Sequence, residues 1–266
     1  MLKPNHHISI FTPQRLQAYV IAYKVYRFFD DAPIALTPDG HFEFIIQADR
    51  SILQKSATGT EWVLRPKAFV GGLHNRHYAI KATTQGACLV SVQFKPGAAR
   101  YFIPEQLHRL KNQIIDISAM YGTQKERELS AIHPDEKESR IVTKVEDFLL
   151  NIFHPRKDSC ISYALDLLYK AQGIGTVHEL AKAVYLSEVQ FRKRFREEVG
   201  LSPKEYSKIV RVNAVKNMIL HSPKPLRFTE LSYRFGYYDQ AHFIKDFSSV
   251  IGASPRRYWA RHHGEN

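Results

Sequence analysis

Two short segments carry side chains suited to gripping a polyanion. In the first, Val189, Arg192, Lys193 and Arg196 recur at spacings of three and four. On a helix turning about 100° per residue they share one side, opposite Phe191 and Phe195. In the second, Ala241, Ile244, Lys245 and Ser248 stand opposite Phe243 and Phe247, with Gln240 in the exposed first turn. Arg or Lys can donate to guanine O6 and N7, Gln can pair with adenine, and apolar side chains can meet the thymine methyl. All of this requires that the helix protrude into a major groove about 12 Å wide. The candidate DNA-contacting set is Val189, Gln190, Arg192, Lys193 and Arg196 in one segment, and Gln240, Ala241, Ile244 and Lys245 in the other. For either segment alone, a solvated basic face on an ordinary helical bundle is the competing explanation.

Duplication shifts that balance. Phe191, Lys193, Phe195, Gly200, Ser202, Pro203 and Tyr206 recur 52 residues later as Phe243, Lys245, Phe247, Gly252, Ser254, Pro255 and Tyr258. Upstream the offset becomes 51, with Glu179-Leu180-Ala181 facing Glu230-Leu231-Ser232, so one residue has been added within Gly236-Tyr237-Tyr238. Each copy reads as helix, turn, helix. Leu180, Ala181 and Val184 lie on the first helix of copy one, Ser187 caps the second, and Gly200 stops it. In copy two these places fall to Leu231 and Phe235, Asp239 and Gly252, and both caps leave backbone N–H groups that can receive a phosphate. Between the copies, Ser202-Pro203 begins one long helix running to His221, closed by Ser222-Pro223-Lys224-Pro225. A stiff connector of this kind lets one polypeptide enter successive major grooves about 34 Å apart without dimerising. Gly200, Gly252, Pro203 and Pro255 read as architectural, and Tyr237, Tyr238 and His242 as packing around the second turn.

The ordered series Glu179-Leu180-Ala181, Leu186-Ser187, Phe191, Phe195, Gly200-Leu201-Ser202-Pro203, Tyr206, Arg211, Ala214, Phe235-Gly236-Tyr237, Phe243, Phe247 and Gly252-Ala253-Ser254-Pro255-Arg256-Arg257-Tyr258 closely resembles the DNA-binding domain of the AraC/XylS transcriptional regulators, over about residues 158–262. The resemblance implies base contacts from Val189, Arg192 and Lys193, and from Gln240, Ala241, Ile244 and Lys245, and an internal structural contact for Arg211. Ala241 and Ile244 carry no base-bonding groups, so the second copy is expected to offer mainly phosphate or apolar contacts. The elements Ala18-Tyr19-Val20, Tyr23, Thr37-Pro38-Asp39-Gly40, Phe69-Val70-Gly71-Gly72 and Val92-Gln93-Phe94-Lys95-Pro96-Gly97-Ala98 resemble a cupin-like sensor domain that precedes this DNA-binding domain in one subgroup of the family.

The elements that must position these faces follow from patterning. Short alternating or β-branched runs at 19–26, 42–47, 62–64, 69–70, 78–80 and 88–94, with turns at Pro38-Asp39-Gly40 and Gly71-Gly72, predict a β sandwich or barrel. Short helices are expected at 96–102 and 104–110. A longer one carries Val142, Val145, Phe148, Leu149 and Ile152 on one side and is broken by His154-Pro155-Arg156-Lys157-Asp158; a further apolar helix at 161–168 opens the last domain. The expected fold is α+β: a β-rich cupin-like sensor or oligomerising domain at 1–130, a helical linker at 131–157, and an all-α tandem helix-turn-helix domain at 158–262, with units at about 177–199 and 228–251. The chain's 38 Lys and Arg against 26 Asp and Glu give +12, and residues 156–266 hold 19 basic against 11 acidic. The excess therefore gathers at the end that would meet nucleic acid.

Other classes fit less well. No run approaches the roughly 20 apolar residues of a membrane span, and Met1-Leu2-Lys3-Pro4-Asn5-His6-His7 lacks a signal peptide's apolar core, so a cytoplasmic protein with no membrane partner is expected. Cys88 and Cys160 are too few for a disulfide framework or thiolate metal cage. A metal-dependent cupin enzyme would need His41, His74 and His77 as ligands, but their spacing lacks the His-x-His and carboxylate pattern, and no nucleophile elbow, phosphate loop or zinc signature occurs. No catalytic residue, metal or cofactor is assigned. The expected partner is double-stranded DNA, with room for RNA polymerase, a second copy of the chain, and a small-molecule effector, for which the inward aromatics Phe42, Phe44 and Trp62 are candidate pocket residues and equally ordinary core. A non-specific architectural DNA binder is the alternative within binding proteins.

Overall fold

The computed structural model describes residues 6–222 and 226–263. In chain order, the β strands are β1 (His6–Phe11), β2 (Val20–Phe28), β3 (Ile34–Leu36), β4 (Glu43–Gln47), β5 (Ile52–Ser56), β6 (Val63–Leu64), β7 (Ala68–Gly71), β8 (Tyr78–Ala82), β9 (Cys88–Phe94) and β10 (Ile114–Asp116). They form two antiparallel sheets, ordered β1-β2-β9-β4-β7-β10 and β3-β8-β5-β6. The central strand β9 is buried along its whole length because its two faces meet different partners. Cys88, Val90, Val92 and Phe94 pack toward the helices, while Leu89 joins Tyr26, Phe28, Ile52 and Ile80 between the sheets. The same alternation sends Phe44 and Ile46 of β4 to the helical side and Ile45 to the inter-sheet side.

Strands β1, β3, β5 and β10 were not expected. Two of them are three residues long, and β5 turns Gln54 inward together with Ile52, which breaks the apolar alternation that would announce a strand. Single 3-10 turns at Ala98–Tyr101 and Leu107–Leu110 occupy the places predicted for short helices.

Helices α1 (Ile117–Tyr121) and α2 (Thr123–Ser130) lead to α3 (Glu138–Asn151), which lays Ile141, Val145, Phe148 and Leu149 on the large sheet, the Phe148 ring 5.5 Å from that of Phe44. The buried side of α3 also holds a charge that the apolar pattern passed over. Glu146 is 4% exposed and accepts from Tyr23 Oη at 3.1 Å, Arg15 Nε at 3.1 Å, and the Gln14 and Arg15 amides at 3.2 Å. Burial alone would raise its pKa, but the Arg15 and Tyr23 hydrogen bonds outweigh it and hold the carboxyl below its usual value.

The remaining helices are α4 (Cys160–Lys170), α5 (Val177–Ala183), α6 (Glu188–Val199), α7 (Pro203–His221), α8 (Phe228–Arg234), α9 (Gln240–Ile251) and α10 (Pro255–His263). Ser222 is the C-cap of α7, and the rest of the Ser222-Pro223-Lys224-Pro225 stop lies outside the described residues. The fold is thus a β domain of two antiparallel sheets followed by an all-helical tandem helix-turn-helix region. Among the described residues no helix is long and apolar enough to cross a membrane.

The buried side chains of the first unit, including Phe191, Phe195 and Val199, join those of the β domain in one continuous core. The second unit has its own, built from Leu231, Phe235, Phe243, Phe247 and Trp259. Helix α7 serves both: Tyr206, Ile209 and Val210 belong to the first, and Val212, Val215 and Ile219 to the second.

Candidate nucleic-acid interface

Each unit begins from local capping chemistry. Thr176 and Glu179 form a reciprocal capping box at the start of α5, and Ser187 and Gln190 another at α6, where each takes the other's backbone N–H. Gly200 ends α6 at φ +94° and Gly252 ends α9 at φ +81°, in left-handed conformations that favour glycine. Asp239 caps α9 by accepting from the His242 amide at 2.7 Å. In each cap, one of the free N–H groups that were expected to await a phosphate is therefore already bonded.

With Phe191 and Phe195 fully buried, Val189, Gln190, Arg192, Lys193 and Arg196 are all exposed, Val189 at 78%. These exposures hold with the β domain in place, although α6 is tied to that domain from behind. Arg100 donates to Glu198 at 2.6 Å, and the ring of Phe42 lies so near Gly200 that a Cβ there would come within 3.0 Å of it. Two candidate groups have internal partners. Arg192 donates to Glu188 Oε2 at 2.8 Å, one helical turn back, and this contact is the main cause of the lowered pKa of Glu188. Gln190 spends its carbonyl oxygen on the Ser187 amide, leaving only its NH2 free to donate.

On α9, Gln240, Ala241 and Lys245 are exposed. Ile244 is a correction: it is half-buried against the second core rather than turned outward, and Ser248 is half-buried too. The apolar stripe of a helix spans more than 100°, so a residue next to Phe243 sits on its border. Gln240 accepts from Thr229 Oγ1 at 2.9 Å, which pins its amide against α8. The outward face of α9 thus offers Lys245 as its charge and Gln240 as a partly engaged amide.

The backbone locates the added residue of the second copy. Leu186 N donates to Ala181 O at 3.0 Å, and Tyr237 N donates to Ser232 O at 2.9 Å. Ala181 and Ser232 correspond, so Leu186 corresponds to Tyr237 and the extra residue is Tyr238. It is 89% exposed, which corrects its reading as a packing residue, whereas Tyr237 is buried as expected. Opposite Gly236, at φ +70°, stands Tyr185, at φ +55° and 96% exposed. Motif matching passed over Tyr185; an aromatic where the other copy keeps glycine was the available signal. Arg211 is internal, donating twice to Gly173 O, at 2.8 and 3.2 Å, and lying over the Tyr237 ring.

Phe42 and Phe44 belong to the first core and Trp62 lies under Lys81, and none of the three lines the cavities in and beside the inter-sheet space. His41 bonds to Phe94 O at 3.0 Å and the His74 ring packs at a tilt against that of Tyr78, and among the described residues no cluster of metal-ligating side chains forms.

Comparison with known proteins places this geometry. Residues 180–261 match the family model described as "Helix-turn-helix domain", and residues 9–116 match "Domain of unknown function (DUF6597)". The chain is 30% identical over 83 residues to the probable transcriptional regulator LumQ of Photobacterium leiognathi, covering 31% of this chain and 33% of that protein. It is 31% identical over 88 residues to the lactose operon transcription activator of Staphylococcus xylosus, covering 33% and 30%. These matches span about a third of the length of the relatives. The structure of ToxT from Vibrio cholerae is similar over 89% of this chain and 97% of that one, at a TM-score of 0.47 and 9% identity. The C-terminal part of the chain is a helix-turn-helix DNA-binding domain of the AraC/XylS family of transcriptional regulators. It follows a β domain of the DUF6597 type.

Proposed function

We propose that the protein is a sequence-specific regulator of transcription whose α6 and α9 enter successive major grooves of one duplex. Arg192 and Lys193, aided by Val189, Gln190 and Arg196, contact bases or phosphates in the first groove, and Gln240, Ala241 and Lys245 those in the second. The observation that carries this reading is that Val189, Arg192, Lys193 and Arg196 on α6 and Gln240, Ala241 and Lys245 on α9 are exposed with the β domain in place while the inward Phe pairs are fully buried. α6, with more free donors, carries most of the specificity; α9, with Ile244 half-buried, chiefly contacts the backbone. The β domain tunes the regulator through a small-molecule effector or a second copy of the chain, and RNA polymerase is the further partner.

Selection of bound fragments from genomic DNA, followed by titration at two salt concentrations, tests the proposal. A recovered motif with two half-sites about 10 base pairs apart is expected. Affinity that falls steeply with salt and shows no sequence preference would instead identify a non-specific architectural binder.

A further inference from the structure

Beside β8 the β domain opens a cleft of about 490 Å³, lined among others by Arg65, His74, Arg76, His77, Lys111 and Asn112. Three of these are cationic at neutral pH, and none of the cleft's lining residues is an Asp or Glu. Lys111 is already neutralised by Glu205. Arg65 is not: its side chain makes no ion pair or hydrogen bond among the described residues, and its Nε is buried with no partner. The Nδ1 of His77 is likewise buried and unpartnered. A buried donor without an acceptor costs stability, and such groups call for an explanation such as a ligand. Burial draws the Arg65 pKa down, and burial followed by the charge of Arg65 draws that of His74 down to about 4. The site therefore holds more positive potential than the fold itself satisfies.

We propose that this cleft binds a small organic oxyanion, a carboxylate or phosphate monoester, with Arg65 as its main anchor and His77 and Arg76 as further donors. This rests on the effector-tuned reading above and names the class of effector. A planar guanidinium matches carboxylate and phosphate oxygens in pairs, and the volume suits a metabolite-sized molecule. A duplex backbone is the weaker candidate because the Arg65 Nε is shut away from the protein surface.

The walls of the cleft reach the connector helix and the second helix-turn-helix unit. Lys111 Nζ and Asn75 Nδ2 donate to Glu205 Oε1, at the first turn of α7. The His77 ring lies against Gly252, the C-cap of α9, where a Cβ would fall 2.8 Å from three ring atoms. An anion held by His77 and competing with Glu205 for Lys111 acts at the root of the connector and at the end of the second recognition helix together.

The test is calorimetric titration of the full chain with inorganic phosphate and, separately, citrate, at ionic strength matched by sodium chloride. One or both should saturate at one site per chain, and the two arms distinguish phosphate from carboxylate. Arg65→Gln should weaken binding about tenfold or more and melt like the parent, because its side chain holds nothing inside the protein. Arg76→Gln, at an exposed position, should weaken it severalfold and stands in should the first variant fold poorly; Lys125→Gln, at a residue that does not line the cleft, should change nothing. Absence of saturation by either anion, or equal binding by both cleft variants and parent, overturns the site. So does weaker DNA binding by Arg65→Gln with no anion present, which would assign that arginine to nucleic acid. Saturable, Arg65-dependent binding that leaves DNA affinity unchanged keeps the site and overturns the effector reading instead.

Discussion

Arg192 lies on the exposed side of α6 and its ion pair to Glu188 is a solvent-screened surface contact between side chains one turn apart, which adds little to the helix. Arg192→Ala should therefore leave the melting temperature nearly unchanged while weakening binding to a selected fragment by about 1 to 3 kcal/mol, read by fluorescence anisotropy. Equal affinity in parent and variant would remove Arg192 from the interface. Glu146 is the opposite kind of residue, buried and bonded to four donors, and Glu146→Gln should cost about 2 kcal/mol of stability in a denaturant titration. The pH dependence has a definite sign. Its folded pKa lies below the unfolded value near 4.5, so its contribution is complete above that pH and is lost as the pH falls through the folded value. Replacing Glu146 should remove that part of the acid-induced loss; an unchanged acid profile would show that the carboxylate contributes nothing.

Helices α6 and α9 repeat one design on two different foundations. Phe195→Ala and Phe247→Ala each empty a fully buried site, and each should cost about 3 to 5 kcal/mol locally. Their consequences should spread differently. Phe195 shares its core with the β domain, so its loss should speed amide exchange in β4 and β9 as well as in α6. Phe247 sits in the separate second core, so exchange should rise in α8, α9 and α10 and stay slow in the sheets. Identical exchange patterns in the two variants would mean the cores unfold as one. In the turn between α8 and α9, Tyr238 is the added residue and projects into solvent; Tyr238→Ala should shift stability by no more than about 0.5 kcal/mol. A larger loss on thermal unfolding would show that the ring packs.

Across the whole molecule the β domain holds α7 by several polar contacts. Tyr206 Oη donates to Gly40 O at 2.9 Å and meets Tyr169 Oη at 2.9 Å, Asn213 donates to Pro38 O at 2.8 Å, and Lys216 donates to Thr37 Oγ1 at 3.1 Å. Tyr206→Phe keeps the ring and removes the hydroxyl, leaving the Gly40 carbonyl without that donor. A loss of about 1 to 3 kcal/mol in thermal or denaturant unfolding is expected, and a stability equal to the parent's would show that the hydroxyl does not hold the domains together. Glu205 adds a pH-sensitive tie. Burial works against its charge, but Lys111 and Ser202 prevail and bring its pKa to about 2. That tie is complete above the unfolded carboxyl pKa and weakens as the pH falls from there toward 2.

The helix-turn-helix pair was legible in the chain because its determinants are local. Ser187, Asp239 and Ser202 cap helices within three residues of themselves, Gly200 and Gly252 end them, and the Phe pairs repeat at helical spacing, so a 52-residue offset exposes the whole device. The principal strands were legible for the same reason, while β3 and β10 were too short and β5 too polar to stand out. Ile244, Tyr238 and the carbonyls of Gln190 and Gln240 could not be placed by periodicity, since each depends on which neighbour fills the adjacent space. The cleft is further from reach still. Arg65, His77 and Lys111 are scattered along the chain, and their convergence, with Arg65 in no ion pair among the described residues, arises only when the end of β6, the turn before β8 and the turn before β10 pack together against α7 and α9. Local periodicity specifies helices and their faces; unmatched charge is a property of three-dimensional neighbourhoods that sequence separation hides.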